Sequence, residues 1–489
     1  MARINTNVSS LIAQNNLRKS NNSLETTLQR LSTGLRINRG ADDPAGLIIS
    51  ERLRAEIRGV DSAIENAERA SNVISTAEAS LSEISDLLTS IKQLTVEAAN
   101  TAGLSQEEIE ANQLQIDSAI DSITRIANTA SFGGLKLLNG SLDYITSGVA
   151  TSAISDVNIY AANFGTANTL PITTEVLASA QKAGLYLSAG GGSVLPSAVT
   201  LEIAGASGIE VIQLASGTAL SAVAFAINRS SDSTGVIATV VSGAAAGLSA
   251  LQFQSSDYGS SQFVSVNKVP GTGGQFFQTF DAIGAGANAV NRDTGDDVLA
   301  LVNGNLALGE GTTVKLNSSS LKLELKLTEA FSQVLNTAKS FTVTGGGAKF
   351  QLGPSVETSQ QVSFGIQSVH ASRLGNSVVG FLNSIVSGGS NSLVNGKASE
   401  ASDIIDASIS QVAVFRGRLG SFERNTLETN VRSLETSLEN LTASESRIRD
   451  ADFAEETANL TRAQVLNSVG TTVLQLANNA SSNVLQLLQ

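Results

Sequence analysis

Apolar side chains recur through the first quarter of the chain at alternating steps of three and four. Val60, Ala63, Ala67, Ala70, Ile74, Ala77, Leu81, Ile84, Leu88, Ile91, Thr95 and Ala98 keep this spacing, and only Thr95 is not apolar. Such a stripe covers one face of a long helix and makes a coiled-coil seam. Its many alanines let a partner helix come close. Gly103 marks a stop, and Ile109, Ile116, Ile120, Ile123 and Ala127 predict a second amphipathic helix, broken by Phe132-Gly133-Gly134. Upstream, Ile4, Val8 and Leu11 begin a similar stripe that Leu24, Leu28, Leu31 and Leu35 continue, with Gly34 and Gly40 as interruptions. Asp42-Asp43-Pro44 then reads as a fresh helix start, with Asp as N-cap and Pro in the first turn, where its missing N–H costs nothing.

The far end mirrors this pattern. Ile405, Ile409 and Val412 start a stripe, and Leu427, Val431, Leu434, Leu438, Leu441 and Ile448 keep heptad spacing. A helix over about 400–449 is roughly 75 Å long at about 1.5 Å per residue. It needs another helix alongside, and the 60–100 stripe is the obvious partner. Asp450-Ala451-Asp452 is a second cap-like break. A last helix carries Leu460, Leu466, Val469, Val473, Leu474 and Leu476, and the chain ends Val484-Leu485-Gln486-Leu487-Leu488-Gln489.

Between these flanks the period changes. Residues 321–327, Leu-Lys-Leu-Glu-Leu-Lys-Leu, alternate as a half-buried strand does. Residues 141–395 hold 25 of the 75 charged residues but 31 of the 43 glycines and all four tyrosines. The middle therefore reads as strands punctuated by turns and the flanks as charged helix. The expected fold class is α+β: long antiparallel terminal helices in a coiled-coil-like bundle, with a β-rich central insert of one or two small domains.

Composition narrows the function. There is no Cys, so no disulfide framework and no thiolate metal site. The net charge of −13 disfavours nucleic acid and anionic lipid as partners. No apolar run reaches membrane-spanning length, and the first residues lack the apolar core of a cleaved secretory signal. No membrane insertion is expected, and export, if it occurs, is expected to proceed without a cleaved signal.

The two chain ends carry the functional clue. Residues 463–489 contain no charged residue, yet they hold ten Leu and Val side chains. Each of these is worth roughly 1.5–3 kcal/mol when fully buried. One or two helices do not bury that much in an isolated chain. One reading is a terminal helix docked on the chain's own core; the other is a segment ordered only when subunits stack, and similar amphipathic, Asn-, Gln- and Ser-rich segments at both ends favour the second, in which order at the ends depends on subunit concentration.

These same residues carry a family resemblance. Ile4-Asn-Thr-Asn7, Leu31-Ser-Thr-Gly-Leu-Arg-Ile-Asn38, Ala41-Asp-Asp-Pro-Ala-Gly46, Leu94-Thr-Val-Glu-Ala-Ala-Asn100 and Phe132-Gly-Gly-Leu-Lys136 resemble the N-terminal region of bacterial flagellins. Gly417-Arg-Leu-Gly420, Asn440 to Asp450, Arg462-Ala-Gln464 and Val484-Leu-Gln-Leu-Leu488 resemble their C-terminal region. Leu201 to Gly205, Ala215 to Leu220, Ala226-Ile-Asn228 and Gly235 to Val241 resemble the strand–helix–strand insert named for its Ile-Asn pair, expected here at about 200–265.

The resemblance implies a structural subunit, exported unfolded, that polymerises through its paired terminal helices into the flagellar filament for swimming. It implies that residues 1–40 and 452–489 are inner-tube helices, that 41–140 and 395–451 form an outer-tube bundle, and that 141–394 is a variable surface region. The inner-tube assembly set is Ile4, Val8, Leu11, Leu24, Leu28, Leu31, Leu466, Val469, Val473, Leu476, Val484, Leu485 and Leu488. The helix seam set is Ile74, Leu81, Ile84, Leu88, Ile91, Leu427, Val431, Leu434, Leu438 and Leu441. The implied partners are further copies of the chain, an export chaperone on the C-terminal helix, the filament cap and the hook–filament junction protein. The implied location is the extracellular flagellum. A junction protein of the same family and a secreted coiled-coil adhesin are the alternatives.

Three positions match those read by the vertebrate Toll-like receptor for flagellin: Ser90, Leu94 and Gln115. Detected flagellins carry Arg and Glu where Ser90 and Gln115 stand, so weak recognition is expected. No catalytic set stands out, and neither an enzyme nor a cofactor is expected. The single His, His370, excludes a multi-His metal site. Gly190-Gly-Gly192, Pro270-Gly-Thr-Gly-Gly274 and Gly345-Gly-Gly347 lack the frame of a phosphate loop and read as turns or bulges. Asp293, Asp296 and Asp297 lack the remaining ligands of a cation loop.

Overall fold

A computed structural model describes residues 6–165, 167–188, 194–242, 249–272, 277–283, 287–318 and 320–486. The principal helices are α1 (Val8–Thr33), α2 (Pro44–Ala98), α3 (Gln106–Thr129), α4 (Leu220–Asn228), α5 (Ala398–Phe422), α6 (Glu428–Arg449) and α7 (Phe453–Gln486). The strands lie between α3 and α5. Helical ends and a β-rich middle make this an α+β chain. Its contacts divide it into two units: Met1–Ser71, Gln351–Gln361 and Ser421–Gln489 form one, and Asn72–Phe350 and Val362–Gly420 the other.

In the first unit the early part of α2 runs antiparallel to α6. The Arg449 guanidinium donates to Glu51 at 2.8 Å, and Ser71 reaches Glu423 near the other end. Val60, Ala63, Ala67 and Ala70 are all buried. Opposite them Val431, Leu434, Leu438 and Leu441 are half-buried, the state expected when only one helix and a short segment cover a stripe. That segment is Gln351–Gln361: Asn430 donates to the Leu352 carbonyl at 2.7 Å, and any side chain at Gly59 would meet the Pro354 side chain at 3.1 Å.

The long C-terminal helix expected over about 400–449 is not uniform. Five residues, Glu423–Leu427, form a π-turn between α5 and α6. The stripe explains it: Phe422 and Leu427 are both buried although five residues apart, a spacing that an α-helix does not return to one face.

In the second unit Ile74, Ala77, Leu81, Ile84, Leu88, Ile91, Thr95 and Ala98 of α2 are buried to 1 % exposure or less, apart from Ala98 at 3 %. Here α2 is antiparallel to α5, with Lys92 bonded to both Ser402 and Asp406 at 2.5 Å and Arg416 at 4.0 Å from Glu78. A Ser105–Glu108 capping box starts α3. Ile116, Ile120 and Ile123 then enter the core. The buried Gln113 on the same helix donates to the Ile385 carbonyl and accepts from the Leu393 N–H, both at 2.8 Å, which pins the loop before α5.

The middle of this unit holds two cores. An eight-stranded antiparallel sheet runs, edge to edge, Tyr144–Ser147, Ala338–Gly346, Leu170–Ala178, Leu299–Val302, Asn305–Glu310, Thr313–Asn317, Leu321–Leu327 and Ile154–Ala162. Its inner face is apolar, and the four leucines of Leu321–Leu327 are buried by strict alternation. The sheet curls until its two edge strands approach, and the Tyr144 hydroxyl accepts from the Ala162 N–H at 2.9 Å.

The second core lies between two four-stranded sheets that include Gly184–Ser188, Val199–Gly205, Ile209–Leu214, Val236–Ser242, Ser249–Ser255 and Phe263–Lys268, with α4 packed against them. The Ile-Asn pair has a plain physical role here. Ile227 is buried. Asn228 bonds both the N–H and the carbonyl of Ala238, at 2.7 and 3.0 Å, and so satisfies backbone groups that the edge strand Val236–Ser242 would leave open.

Burial pushes the Tyr144 phenol from 10.0 up to about 12. A raised folded pKa means that the neutral form is the one the fold favours. Its contribution is therefore complete below pH 10 and is lost as pH rises through about 12. Tyr160 is raised in the same direction, again chiefly by burial. Alkaline titration followed at 295 nm should show late, cooperative ionisation of these two phenols. Tyr144→Phe should remove one of them and cost about 1–2 kcal/mol, because the Ala162 N–H loses its acceptor. Simultaneous ionisation of all four tyrosines in the ordinary range would contradict this.

Candidate assembly surface of the terminal helices

The chain ends meet in the first unit as an antiparallel pair, α1 with α7. The seam is made of small and polar residues. Asn7 donates to the Ala477 carbonyl at 2.8 Å, and the Ser10 hydroxyl to Asn478 at 2.7 Å. Asn21 meets Asn467, and Ser20 donates to the Ala463 carbonyl at 3.3 Å. Leu17 lies against Gly470, where an added Cβ would sit 3.2 Å from its side chain. Near the base, Arg30 pairs with the buried Glu456 at 2.9 Å. Ser10, Ala13, Thr27 and Ala463 are buried between the helices.

Because small side chains take the seam, large ones are left outside. Val8, Leu11 and Leu28 on α1 and Val465, Leu466, Val469, Val473 and Leu476 on α7 are between 47 and 71 % exposed. So are Ile12 at 57 % and Phe453 at 60 %. Leu24 and Leu31 are half-buried. A shallow groove of about 440 Å³ runs along the pair, lined by Ala13, Lys19 and Ser23 on one side and Leu466, Val469 and Val473 on the other. Ile4 and Leu488 lie outside the described residues, as do the side chains of Val484 and Leu485. Covering the exposed half of ten such side chains is worth on the order of 7–15 kcal/mol per chain. An isolated chain forgoes that energy.

The turn that joins the helix pair to the bundle explains the motifs around it. Gly34 ends α1 in the left-handed region, at φ 73°. The chain then makes a short antiparallel bridge, Leu35 opposite Asp450. The Arg36 N–H donates to the Arg449 carbonyl at 2.7 Å and the Ala451 N–H to the Gly34 carbonyl at 2.9 Å. Ile37 plugs the turn. The Asp42 carboxylate accepts the N–H groups of Arg39 and Asn38, which hold it below the ordinary carboxylate range. Asp43 caps α2 by accepting the Gly46 N–H at 2.9 Å. A Cβ at Gly46 would stand 2.5 Å from the Asp43 carboxylate and 2.7 Å from the Ile37 side chain, so any other residue there displaces the cap or the plug.

The other singled-out residues fall elsewhere. In the seam set, Ile74, Leu81, Ile84, Leu88, Ile91 and Leu427 are buried, while Val431, Leu434, Leu438 and Leu441 are half-buried. Ser90 and Gln115 are exposed and Leu94 is half-buried. His370 is partly covered in a turn whose N–H groups bond its carbonyl. Asp293 accepts the Gly184 N–H and Asp297 the N–H groups of Ser260 and Gly311, so both carboxylates serve the backbone. No cluster of His, Cys, Asp and Glu fit for a metal is present among the described residues. Gly345 and Gly346 end the strand Ala338–Gly346 just past a register shift against Tyr144–Ser147, and all three glycines of Gly345-Gly-Gly347 have positive φ, whereas Gly190-Gly-Gly192 and the end of Pro270-Gly-Thr-Gly-Gly274 lie outside the described residues. No described helix is long and apolar enough to cross a membrane.

Three segments match known families: residues 4–143 the bacterial flagellin N-terminal helical region, 402–488 the bacterial flagellin C-terminal helical region, and 200–257 the flagellin hook IN motif. Along its whole length the chain is 28 % identical over 520 residues to a flagellin of Salmonella choleraesuis, covering 99 % of each. It is 29 % identical over 501 residues to flagellin A of Vibrio cholerae and 26 % identical over 527 residues to flagellin A of Helicobacter pylori, again covering 99 % of both chains in each comparison.

Arg30→Ala would leave Glu456 buried without its partner. The expected cost to the helix pair is on the order of 2–4 kcal/mol. It should appear as faster amide exchange over residues 8–33 in assembled filaments, with residues 74–98 unaffected. Unchanged exchange at the terminus would contradict the role given to this ion pair.

Proposed function

The chain belongs to the bacterial flagellins, structural subunits of the flagellar filament, and from that premise we propose that its two ends supply the inner tube of the filament. Residues 1–40 and 452–489 are the inner helices, 41–140 and 395–451 the outer bundle, and 141–394 the region turned to solvent. The observation that carries this reading is the outward-facing apolar surface of α1 and α7, which no described residue of the single chain covers. Copies of the same chain supply that cover. Polymerisation then draws its energy from burial that folding alone leaves undone, and the ends gain order with concentration.

The remaining partners follow from the same surface. An export chaperone shields the uncharged C-terminal helix before assembly. The filament cap and the hook–filament junction protein meet it at the two ends of the polymer.

Deleting residues 463–489 tests the reading. The truncated chain should keep the β-rich cores, because Tyr144 to Phe341 and Ala183 to Phe277 pack without the deleted residues. It should form no filaments by electron microscopy at any concentration at which the full chain polymerises. Normal filaments from the truncated chain would refute it.

A second expectation concerns the vertebrate receptor for flagellin. Ser90 and Gln115 are exposed but lack the Arg and Glu of detected flagellins. Loss of two interface anchors weakens binding by at least about tenfold. A reporter assay should therefore need at least about ten times the dose of a strongly detected flagellin, and an equal dose–response would contradict this.

A further inference from the structure

Three Asn-Gly pairs stand in the chain, at Asn139-Gly140, Asn303-Gly304 and Asn395-Gly396. In such a pair the glycine nitrogen lies within reach of the asparagine side-chain carbonyl, and no Cβ obstructs it. Attack by that nitrogen needs a free N–H and a side chain folded back over it. The fold treats the three pairs differently.

Asn303 is clamped. It turns the hairpin between Leu299–Val302 and Asn305–Glu310 at φ 50°. Its side-chain oxygen accepts the Thr173 N–H at 2.8 Å and its side-chain amide donates to the Pro171 carbonyl at 3.1 Å, so the side chain is held on the strand Leu170–Ala178. At Asn395 the attacking group is engaged. The Gly396 N–H donates to the Leu393 carbonyl at 2.9 Å, and the Asn395 side-chain amide to the Gly389 carbonyl at 3.0 Å. Asn139 has neither restraint. Its side-chain oxygen accepts the Ser141 N–H at 3.0 Å, which closes a ring through the Gly140 peptide and folds the side chain over it. That bond also draws electrons from the carbonyl to be attacked. Among the described residues no group bonds the Gly140 N–H or the Asn139 side-chain amide. The pair is half-buried, so water reaches it.

We propose that Asn139 is a site of spontaneous deamidation, selected by this turn. Hydroxide removes the Gly140 amide proton, and the nitrogen attacks the Asn139 side-chain carbonyl carbon, forming a C–N bond. The bond from that carbon to the side-chain nitrogen breaks. Ammonia leaves with a proton from water, which regenerates the hydroxide, and a cyclic succinimide remains. Water opens the ring at either carbonyl, giving aspartate or isoaspartate. Each product adds a negative charge, and isoaspartate also adds a methylene to the main chain. The turn lies between α3 and the strand Tyr144–Ser147. Leu137 and Leu138 before it are buried, the Leu138 carbonyl accepts the Val369 N–H and the Gly140 carbonyl the Asp143 N–H, both at 3.1 Å. A longer main chain strains those bonds. The site goes beyond the assembly reading and does not rest on it.

The full chain, incubated folded at mildly alkaline pH and then digested, tests this by mass spectrometry of the peptides that hold each pair. Exposure alone favours Asn303 and Asn395, which are exposed, over Asn139. Bonding predicts the reverse, with conversion at Asn139 at least about fivefold faster than at either. In the chain unfolded by denaturant the three should react at similar rates, so folding should slow residues 303 and 395 but not 139. Methyltransferase labelling should detect isoaspartate in the folded chain, and Asn139→Gln should lose most of it. Conversion at Asn139 no faster than at Asn303 or Asn395 in the folded chain would overturn the proposal. So would undiminished labelling of Asn139→Gln.

Discussion

Two helices that meet through serine, alanine and glycine must carry their large apolar side chains on the outside. That trade is the constraint on which the structure of this subunit depends. Gly470 lets α7 approach Leu17, and Ser10, Ser20 and Asn21 tie the pair with polar contacts. The same choice leaves Leu11, Val469 and Leu476 more than half exposed. A seam of this kind gives direction and register but only modest burial. The larger hydrophobic energy is left unrealised in the single chain, and the proposed assembly draws on it.

The rest of the chain serves that surface. The turn from Gly34 to Gly46 fixes the angle at which α1 leaves α2, through backbone bonds to Arg449 and Ala451 and carboxylates aimed at N–H groups. The long stripe on α2 is packed in the ordinary way, with every seam position from Val60 to Ala98 buried. The β-rich cores close on themselves and do not draw on the terminal helices for their burial. This separation lets the central cores stay folded whatever the state of the chain ends.

Much of this was legible along the chain. The alternating three–four spacing from Val60 to Ala98 marks the buried face residue by residue, because a long regular helix obeys its period. The strand at Leu321–Leu327 was equally plain. Periodicity is silent on which face of an amphipathic helix meets its partner. Nothing in the spacing of Val8, Leu11 and Leu28 says that Ser10, Ala13 and Thr27 take the seam instead. The π-turn had a readable trace: Val412, Phe415, Leu419 and Phe422 keep step, and Leu427 falls one residue late. The Ser105–Glu108 capping box was also there to be read. Gln113 was not, since a polar residue on a helix looks solvent-facing until the loop it binds is in place.

Hydrogen exchange resolved along the chain, in dilute monomer and in filaments, bears most directly on the central claim. Amides of residues 8–33 and 453–479 should exchange quickly in the monomer and slow by several orders of magnitude in the filament, because the energy that protects them comes from neighbouring copies. Amides of α2 from Ile74 to Ala98 should be protected in both states. Equal and strong protection of the two ends in the dilute monomer would show that the pair is complete by itself, and the account would fail.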